Sequence, residues 1–344
     1  VERYRQRKLL GRFLWLLPML MVIWANLHSG YLLGVVLLGT YAVGWALERW
    51  WGSQIEPIPT WEDIRQLAIV TGVSFFAAVL NPSGVELWIY PFLTLGSTAM
   101  QVYIQEWHSP DFHQVIFWPF AALLVAGILS MVFSKKRPSA TDLLLFLGTG
   151  CAGLLSARHI PLFALVSVPI VSRHLVFTLQ GTSLAPIVEE QTEVPLSKPI
   201  FNIVNWGVLV VFAFVAFVWT ANTIIENEGV IAERYPVTAV TYLEESGLAD
   251  EPGYNSYNWG GYLIWRGIPV FVDGRADVYG DAFLFYYLQA FEIRPNWEET
   301  LTEFDVSYVL MEKGSPLFAL LESSGDWQEV YHDDLAQIYV RQSP

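Results

Sequence analysis

The chain has 344 residues, of which 53% are hydrophobic and 15% are charged, and a soluble protein of this size would carry more charge. Acidic groups concentrate toward the C-terminus: residues 226–344 hold 21 acidic and 6 basic residues, a net charge of −15, whereas residues 1–225 have a net charge of +1. This balance excludes nucleic acid as a partner, because its phosphates would be repelled. The composition indicates a near-neutral membrane part followed by an acidic, water-soluble part.

Apolar stretches in the first 222 residues predict membrane-spanning helices, which need roughly 17–25 mainly apolar residues. Seven candidates occur, at residues 13–26, 31–47, 67–80, 115–133, 143–155, 160–171 and 200–221. Several are short and would extend into flanking residues or pack as tilted or partial helices. Gly30 and Gly34 form a small-xxx-small pattern, which we interpret as helix packing. The single cysteine, Cys151, excludes an intrachain disulfide.

Lys and Arg predict the orientation of these spans, because they are enriched in cytoplasmic loops. The basic N-terminal segment marks the cytoplasmic side, and seven spans in series make residues 48–66, 134–142 and 172–199 cytoplasmic as well. Those three loops contain seven Lys or Arg residues, whereas the outer segments 27–30, 81–114 and 156–159 contain only Arg158. We expect a multi-pass protein of a cytoplasmic membrane, with its N-terminus in the cytoplasm and its C-terminal domain outside.

This orientation gathers polar residues at the outer face, where ionisable groups are costly unless they face water, a partner or a substrate. The candidate binding residues there are Asn26, His28, Asn81, His108, His113, Arg158 and His159, and the candidate catalytic residues are Glu106 and Asp111. A polar ring at one end of a helical bundle predicts a substrate cavity. Two simpler interpretations are a helix stop and turn at Asn81 and an Arg158 side chain that reaches lipid headgroups.

Four of these residues are of types that bind zinc, namely Glu106, His108, Asp111 and His113. Their spacing matches no recurring zinc motif and Pro110 forces a turn among them, so we predict no firm metal site. Three alternatives stay open for the two carboxylates. They act as a base, they hold a lipid-linked substrate through Mg²⁺ or Mn²⁺, or they belong to an interfacial hydrogen-bond cluster without chemistry.

Residues 223–344 predict a small α/β domain that lies outside the cytoplasm. Helices are expected at 236–245, 297–304 and 316–323, strands at 253–257, 268–272 and 306–311, and a closing hairpin at 327–331 and 336–340. Strands that alternate with helices are typical of a layered α/β fold. The domain's candidate site residues are Trp259, Asp273, Arg275 and Asp277; the alternative is a capped loop that docks onto the membrane part. The predicted fold is thus an α-helical transmembrane bundle of about seven spans, residues 1–222, followed by this domain.

Six segments together resemble a known family. They are residues 24–30 (Trp-Ala-Asn-Leu-His-Ser-Gly), 81–84 (Asn-Pro-Ser-Gly), 106–111 (Glu-Trp-His-Ser-Pro-Asp), 158–162 (Arg-His-Ile-Pro-Leu), 259–265 (Trp-Gly-Gly-Tyr-Leu-Ile-Trp) and 272–277 (Val-Asp-Gly-Arg-Ala-Asp). They resemble a family of uncharacterised bacterial polytopic membrane proteins. That family is similar in layout to the GT-C superfamily of glycosyltransferases, which use polyprenyl-phosphate sugars.

The resemblance implies transfer of a sugar from a polyprenyl-phosphate carrier to an acceptor at the outer membrane face. It implies that His108, Arg158 and His159 contact the carrier's phosphate, through charge-assisted hydrogen bonds for Arg158. Glu106 and Asp111 would then hold a divalent ion or the acceptor. GT-C enzymes carry a catalytic acid in their first outer loop, and residues 27–30 contain none. We therefore expect that further spans and this acid precede Val1.

A second class of function fits the same layout. The chain would then be a non-enzymatic membrane protein whose outer α/β domain binds a glycan or a partner protein. An upstream extension with more spans and an acidic outer loop would favour the enzyme over this alternative.

Overall fold

The computed structural model describes residues 1–180, 182, 185 and 199–342. The chain divides into two compact units, Val1–Thr192 and Glu193–Pro344, which we call the N-terminal unit and the C-terminal unit. The predicted domain boundary after residue 222 lies inside one continuous helix, Pro199–Arg234. The last long apolar helix and the folded C-terminal domain therefore belong to the same unit.

The N-terminal unit is built from helices that overlap six of the predicted spans. Its main helices are α1 (Leu16–Leu27), α2 (Tyr31–Trp51), α3 (Trp61–Ala77), α4 (Trp118–Val132), α5 (Ala140–Leu155) and α6 (Ile160–Leu179). Short helical turns cover Glu2–Arg5, Gly11–Trp15, Gly84–Trp88, Tyr90–Gly96, Thr98–Tyr103, Gln105–Trp107, Val115–Phe117 and Ala157–His159. Helix α3 begins earlier than the apolar pattern predicted, because Thr60 and Asp63 form a capping box ahead of its apolar residues.

Length and composition suggest a membrane protein. Among the described residues, four helical stretches are long and apolar enough to cross a membrane: Tyr31–Trp51, Val115–Val132, Ala157–Leu179 and Asn205–Arg234. Gly11–Leu27 and Ala140–Leu155 are apolar but shorter. The predicted apolar helices are confirmed in length and composition, whereas their crossing of a membrane and the count of seven spans stay predictions.

Small residues bring the helices of the N-terminal unit close together. A Cβ atom added at Gly34 of α2 would lie 2.7 Å from the Trp24 ring of α1, and one at Gly44 would lie 2.7 Å from the Cα atom of Thr141 in α5. Such contacts are typical of packing between helices in membranes. The packing interpretation of the Gly30–Gly34 pattern is therefore confirmed at Gly34.

Charged side chains pair inside one end of this bundle, where α2 and α6 end and α5 begins. Arg5 donates to Glu48 at 2.7 Å, and both side chains are almost fully buried. Glu48 also accepts from the backbone N–H of Thr141 at 3.2 Å. Asp142 accepts from Arg173 at 2.5 Å. These ion pairs and hydrogen bonds connect the ends of α2, α5 and α6, and each buried charge has a partner.

The C-terminal unit combines helices with one small sheet. Its elements are α7 (Pro199–Arg234), α8 (Val237–Glu245), β1 (Gly253–Asn255), α9 (Gly260–Trp265), α10 (Ala276–Phe291, kinked at Gly280), α11 (Trp297–Glu303), β2 (Tyr308–Glu312), α12 (Pro316–Ser324), β3 (Trp327–His332) and β4 (Ala336–Arg341). The described strands have the order β1-β2-β4-β3, with β1 parallel to β2 and the other pairs antiparallel. Leu243, Leu263, Leu310 and Ile338 form part of its buried core. The predicted hairpin and helices are confirmed.

The predicted strand at 268–272 is wrong. The segment is irregular, although Val272 is buried. The side chain of Asn255 explains the difference: it accepts from the backbone N–H of Phe271 at 2.8 Å and donates to the carbonyl of Val272 at 2.8 Å. One amide side chain thus satisfies the backbone groups that a neighbouring strand would otherwise bind.

Candidate functional site

The candidate site lies at the other end of the N-terminal unit, where two distant loops are joined. Ser156 at the end of α5 donates to the carbonyl of Glu106 at 2.9 Å, and the backbone N–H of Ala157 donates to the carbonyl of His108 at 3.0 Å. These bonds bind the turn after α5 to the Gln105–Trp107 turn. Two segments that are fifty residues apart in sequence therefore present their side chains side by side.

Arg158 is the cation of this site. Its Nη1 atom lies 3.8 Å from Oε1 of Glu106, and its guanidinium carbon lies 4.4 Å from the centre of the Trp107 ring. A separation of 3.8 Å is longer than a charge-assisted hydrogen bond, which is about 2.7–2.9 Å. The guanidinium is thus oriented by the indole face, and its N–H groups keep most of their capacity to bind an anion.

Around Arg158 the unit forms an open groove with a volume of about 860 Å³. Its polar lining residues are His28, Ser29, Tyr90, Thr94, Gln105, Glu106, Arg158 and His159, and its apolar ones include Leu32, Leu33, Val36, Leu95, Phe117 and Pro161. The groove therefore offers both charged and apolar lining. This combination suits a ligand with an anionic group and a hydrocarbon chain.

Two predicted histidines line the groove. Nδ1 of His28 accepts from the backbone N–H of Gly30 at 2.8 Å, so a neutral His28 ring carries its proton on Nε2. Nδ1 of His159 is buried and has no hydrogen-bond partner among the described residues. A buried polar atom without a partner is costly, so this ring is held in the fold at a cost in stability.

Asn26 and Asn81 connect helices and do not line the groove. The side chain of Asn26 donates to the carbonyl of Leu80 at 2.8 Å, and that of Asn81 donates to the carbonyl of Ala25 at 2.8 Å. The Asn81 amide thus caps the last turn of α1, whereas the Asn26 amide binds the turn that follows α3. The backbone N–H of Ser83 donates to Oδ1 of Asn81 at 2.9 Å, as the turn interpretation of this segment predicts.

His108, Asp111 and His113 do not line the groove. Nε2 of His108 donates to the carbonyl of Val102 at 3.0 Å, while Asp111 accepts from the backbone N–H of His113 at 3.0 Å and lies 2.8 Å from its Nδ1. These two contacts with His113 lower the pKa of Asp111. Among the described residues, no group of three or more His, Cys, Asp or Glu is placed to hold a metal ion, so the contact between Asp111 and His113 is not extended into a metal-binding group.

The candidate residues of the C-terminal unit form a closed arrangement. The Asp273 side chain is 2% exposed and accepts from Nη2 of Arg275 at 2.6 Å and from the Tyr279 hydroxyl at 2.8 Å. Trp259 is buried in the core, where its Nε1 donates to the carbonyl of Arg234 at 3.2 Å. Asp277 is exposed. Asp273 and Arg275 therefore form a loop that is closed by its own hydrogen bonds, whereas the docking of this loop onto the membrane part stays a prediction.

Sequence reasoning missed several residues that line the groove: Tyr90, Thr94, Gln105 and Trp107. None of the four has a charged side chain that would single it out in an interfacial segment. Gln105 and Trp107 come close to Arg158 through the bonds of Ser156 and Ala157. Comparison of the sequence with protein-family models finds no matching family, and comparison with curated proteins finds no match. The evidence for the candidate site is therefore the geometry of its own residues.

Proposed function

We propose that the chain is a multi-pass protein of the bacterial cytoplasmic membrane. It has about seven spans, its N-terminus lies in the cytoplasm, and both the groove and the C-terminal α/β domain lie outside. The distribution of Lys and Arg supports this orientation. Each of the seven predicted spans overlaps a described helix, and six of the seven overlap a helical stretch that is apolar by composition. A reporter enzyme fused after Pro344 should be active only outside the cytoplasm. Activity in the cytoplasm would invert the topology and contradict the proposal.

Within this layout we propose a GT-C-like glycosyltransferase, or part of one, whose donor is a polyprenyl-phosphate sugar. The supporting observation is Arg158, a cation that is held on an indole face at one edge of a groove with apolar lining residues. The phosphate would receive charge-assisted hydrogen bonds from Arg158 and a hydrogen bond from His28 or His159. The hydrocarbon chain would lie along Leu32, Leu33 and Val36.

Sugar transfer requires one bond to form and one to break. A hydroxyl oxygen of the acceptor bonds to the anomeric carbon, and the bond between that carbon and the carrier's phosphate oxygen breaks. The phosphate leaves with the electron pair, and a base takes the hydroxyl proton. Arg158 would stabilise the negative charge on the leaving phosphate. Glu106 is the carboxylate among the groove's lining residues, so we propose that it binds the hydroxyl group of the acceptor.

Native mass spectrometry of the purified protein with undecaprenyl phosphate tests the proposed phosphate site. The wild type should retain the lipid, and Arg158→Ala should lose it. Arg65→Ala is the matched control, because Arg65 is an exposed arginine whose only ion pair among the described residues is a 3.5 Å surface contact with Glu62. Retention by the Arg158 variant, or no retention by the wild type, would contradict the proposed site.

A further inference from the structure

The C-terminal unit contains a cavity that takes no part in the proposed transfer reaction. It has a volume of about 380 Å³ and lies between α11, the Ser324–Asp326 turn and the ends of β3 and β4. Two indoles line it, those of Trp297 and Trp327, together with the polar side chains of Glu298, Asp326, Arg341 and Gln342. Its size falls within the range of small-molecule sites, roughly 300–1,000 Å³.

Hydrogen bonds and a ring contact hold the walls of this cavity. The backbone N–H of Gln342 donates to the carbonyl of Asp326 at 2.7 Å, and that of Arg341 donates to the carbonyl of Ser307 at 2.9 Å. The Arg341 guanidinium lies 5.0 Å from the centre of the Trp327 ring and donates to the carbonyl of Leu301 at 3.1 Å. The cavity is therefore part of the folded framework of the unit.

Arg341 differs from most basic residues of its unit. Arg266, Arg275, Arg294 and Lys313 each form an ion pair with a carboxylate. Within the described ranges Arg341 has no carboxylate within 4.0 Å. Its remaining N–H groups face no ion-pair partner, so they are able to donate to a ligand.

The lining combines flat aromatic surface with donors and acceptors that point from different elements. Trp297 is half-buried, and Glu298, Asp326 and Gln342 are exposed. A sugar ring matches this lining, because its C–H face packs on an indole and its hydroxyls both donate and accept hydrogen bonds. Two carboxylates in the lining, in a region with a net charge of −15, disfavour an anionic ligand.

We propose that this cavity binds a neutral saccharide unit of a glycan. The inference does not depend on the transferase proposal, because none of its residues belongs to the groove around Arg158. If the N-terminal unit does transfer sugar, the natural occupant would be part of the acceptor. If it does not, the cavity makes the C-terminal unit a glycan-binding module in its own right.

Binding is tested on the full chain in nanodiscs of phosphatidylcholine, since sugar-containing detergents would compete. The probes are cellobiose, maltose, lactose, mannobiose and N,N′-diacetylchitobiose, and the readouts are tryptophan fluorescence and saturation-transfer NMR. We expect saturable binding of at least one disaccharide. Trp297→Ala should weaken it at least about tenfold, as loss of a buried aromatic contact does, and Gln342→Ala should weaken it without affecting the fold.

Trp265→Ala is the matched control, because Trp265 is an indole of the same unit that is 71% exposed and lies outside this cavity. Three results would overturn the inference. The first is that no probe shows saturable binding. The second is loss of binding in Trp265→Ala with full binding in the Trp297 and Gln342 variants. The third is tighter binding of galacturonic acid than of galactose, when this charged and this neutral monosaccharide are compared. The Arg158→Ala variant should bind the disaccharides as the wild type does, even where it has lost the lipid phosphate. The two proposals can therefore fail independently.

Discussion

Two polar clusters in this chain look alike in sequence and differ in structure. Arg158 and Glu106 lie 3.8 Å apart at the edge of a groove, whereas Asp273 accepts from the Nη2 of Arg275 at 2.6 Å, from its Nε at 2.9 Å and from the Tyr279 hydroxyl at 2.8 Å. In the first cluster the hydrogen-bonding capacity of the cation is largely unused. In the second, the carboxylate is saturated. A polar cluster is therefore a binding candidate only where its members have not satisfied one another.

The largest effect is expected at Arg158. Arg158→Ala and Glu106→Gln should each abolish transfer of sugar from polyprenyl-phosphate-mannose or polyprenyl-phosphate-glucose, a loss of at least about a hundredfold, with expression unchanged. The measurement is transfer of labelled sugar in membrane vesicles. Arg275→Ala is the control, because its guanidinium serves a closed loop, and it should retain activity. Full activity in both groove variants would contradict the site.

The second effect concerns Gly260, which allows the Asp273 loop to approach α9. A Cβ atom there would lie 2.2 Å from the carbonyl of Val272 and 2.6 Å from the Cα atom of Asp273, so Gly260→Ala should destabilise the unit by about 3 kcal/mol. Gly261→Ala is the matched control: a Cβ there meets nothing within 4 Å, and the change should be neutral or slightly stabilising. Thermal unfolding followed by tryptophan fluorescence compares the two, and equal melting temperatures would refute the close approach.

The third effect is the acid sensitivity of the closed cluster. The side-chain hydrogen bonds of Arg275 lower the pKa of Asp273 to about 2, so the ionised form stabilises the folded state above about pH 4, where the unfolded carboxyl is also ionised. This stabilisation is lost as the pH falls from about 4 to about 2. Asp273→Asn should cost about 2 kcal/mol at pH 7 and remove that part of the pH dependence. Melting temperatures at pH 7 and pH 3 measure both changes.

The smallest effect is expected at Asn81. Asn81→Ala removes the 2.8 Å bond to the carbonyl of Ala25 and should lower stability by about 1 kcal/mol, while undecaprenyl phosphate binding stays unchanged. Thermal unfolding and native mass spectrometry test these two expectations on one sample. Loss of lipid binding would show that the Asn81 turn belongs to the binding site after all.

The sequence predicted the helices well, because an apolar run and its capping residues are local signals. Among the described residues it located the seven long helical segments up to Arg234 and the closing hairpin of the sheet, but it missed α10, Ala276–Phe291. It also singled out His28, Glu106, Arg158 and His159, which line the groove. It misjudged residues 268–272, where a side-chain amide from Asn255 takes the place of a strand. It also grouped His108, Asp111 and His113 with Glu106, because these four residues lie within eight positions of one another. Of the four, only Glu106 lines the groove.

The sequence by itself determined the apolar helices, the acidic C-terminal region and the polar character of one bundle end. These properties follow from composition and from the positions of residues along a single segment. Only the tertiary structure decided which polar groups are open and which are saturated. That distinction depends on partners far apart in the chain, such as Ser156 with Glu106, or Asn255 with Val272. A long-range hydrogen bond forms only when folding brings its two partners together, so no local sequence pattern predicts it.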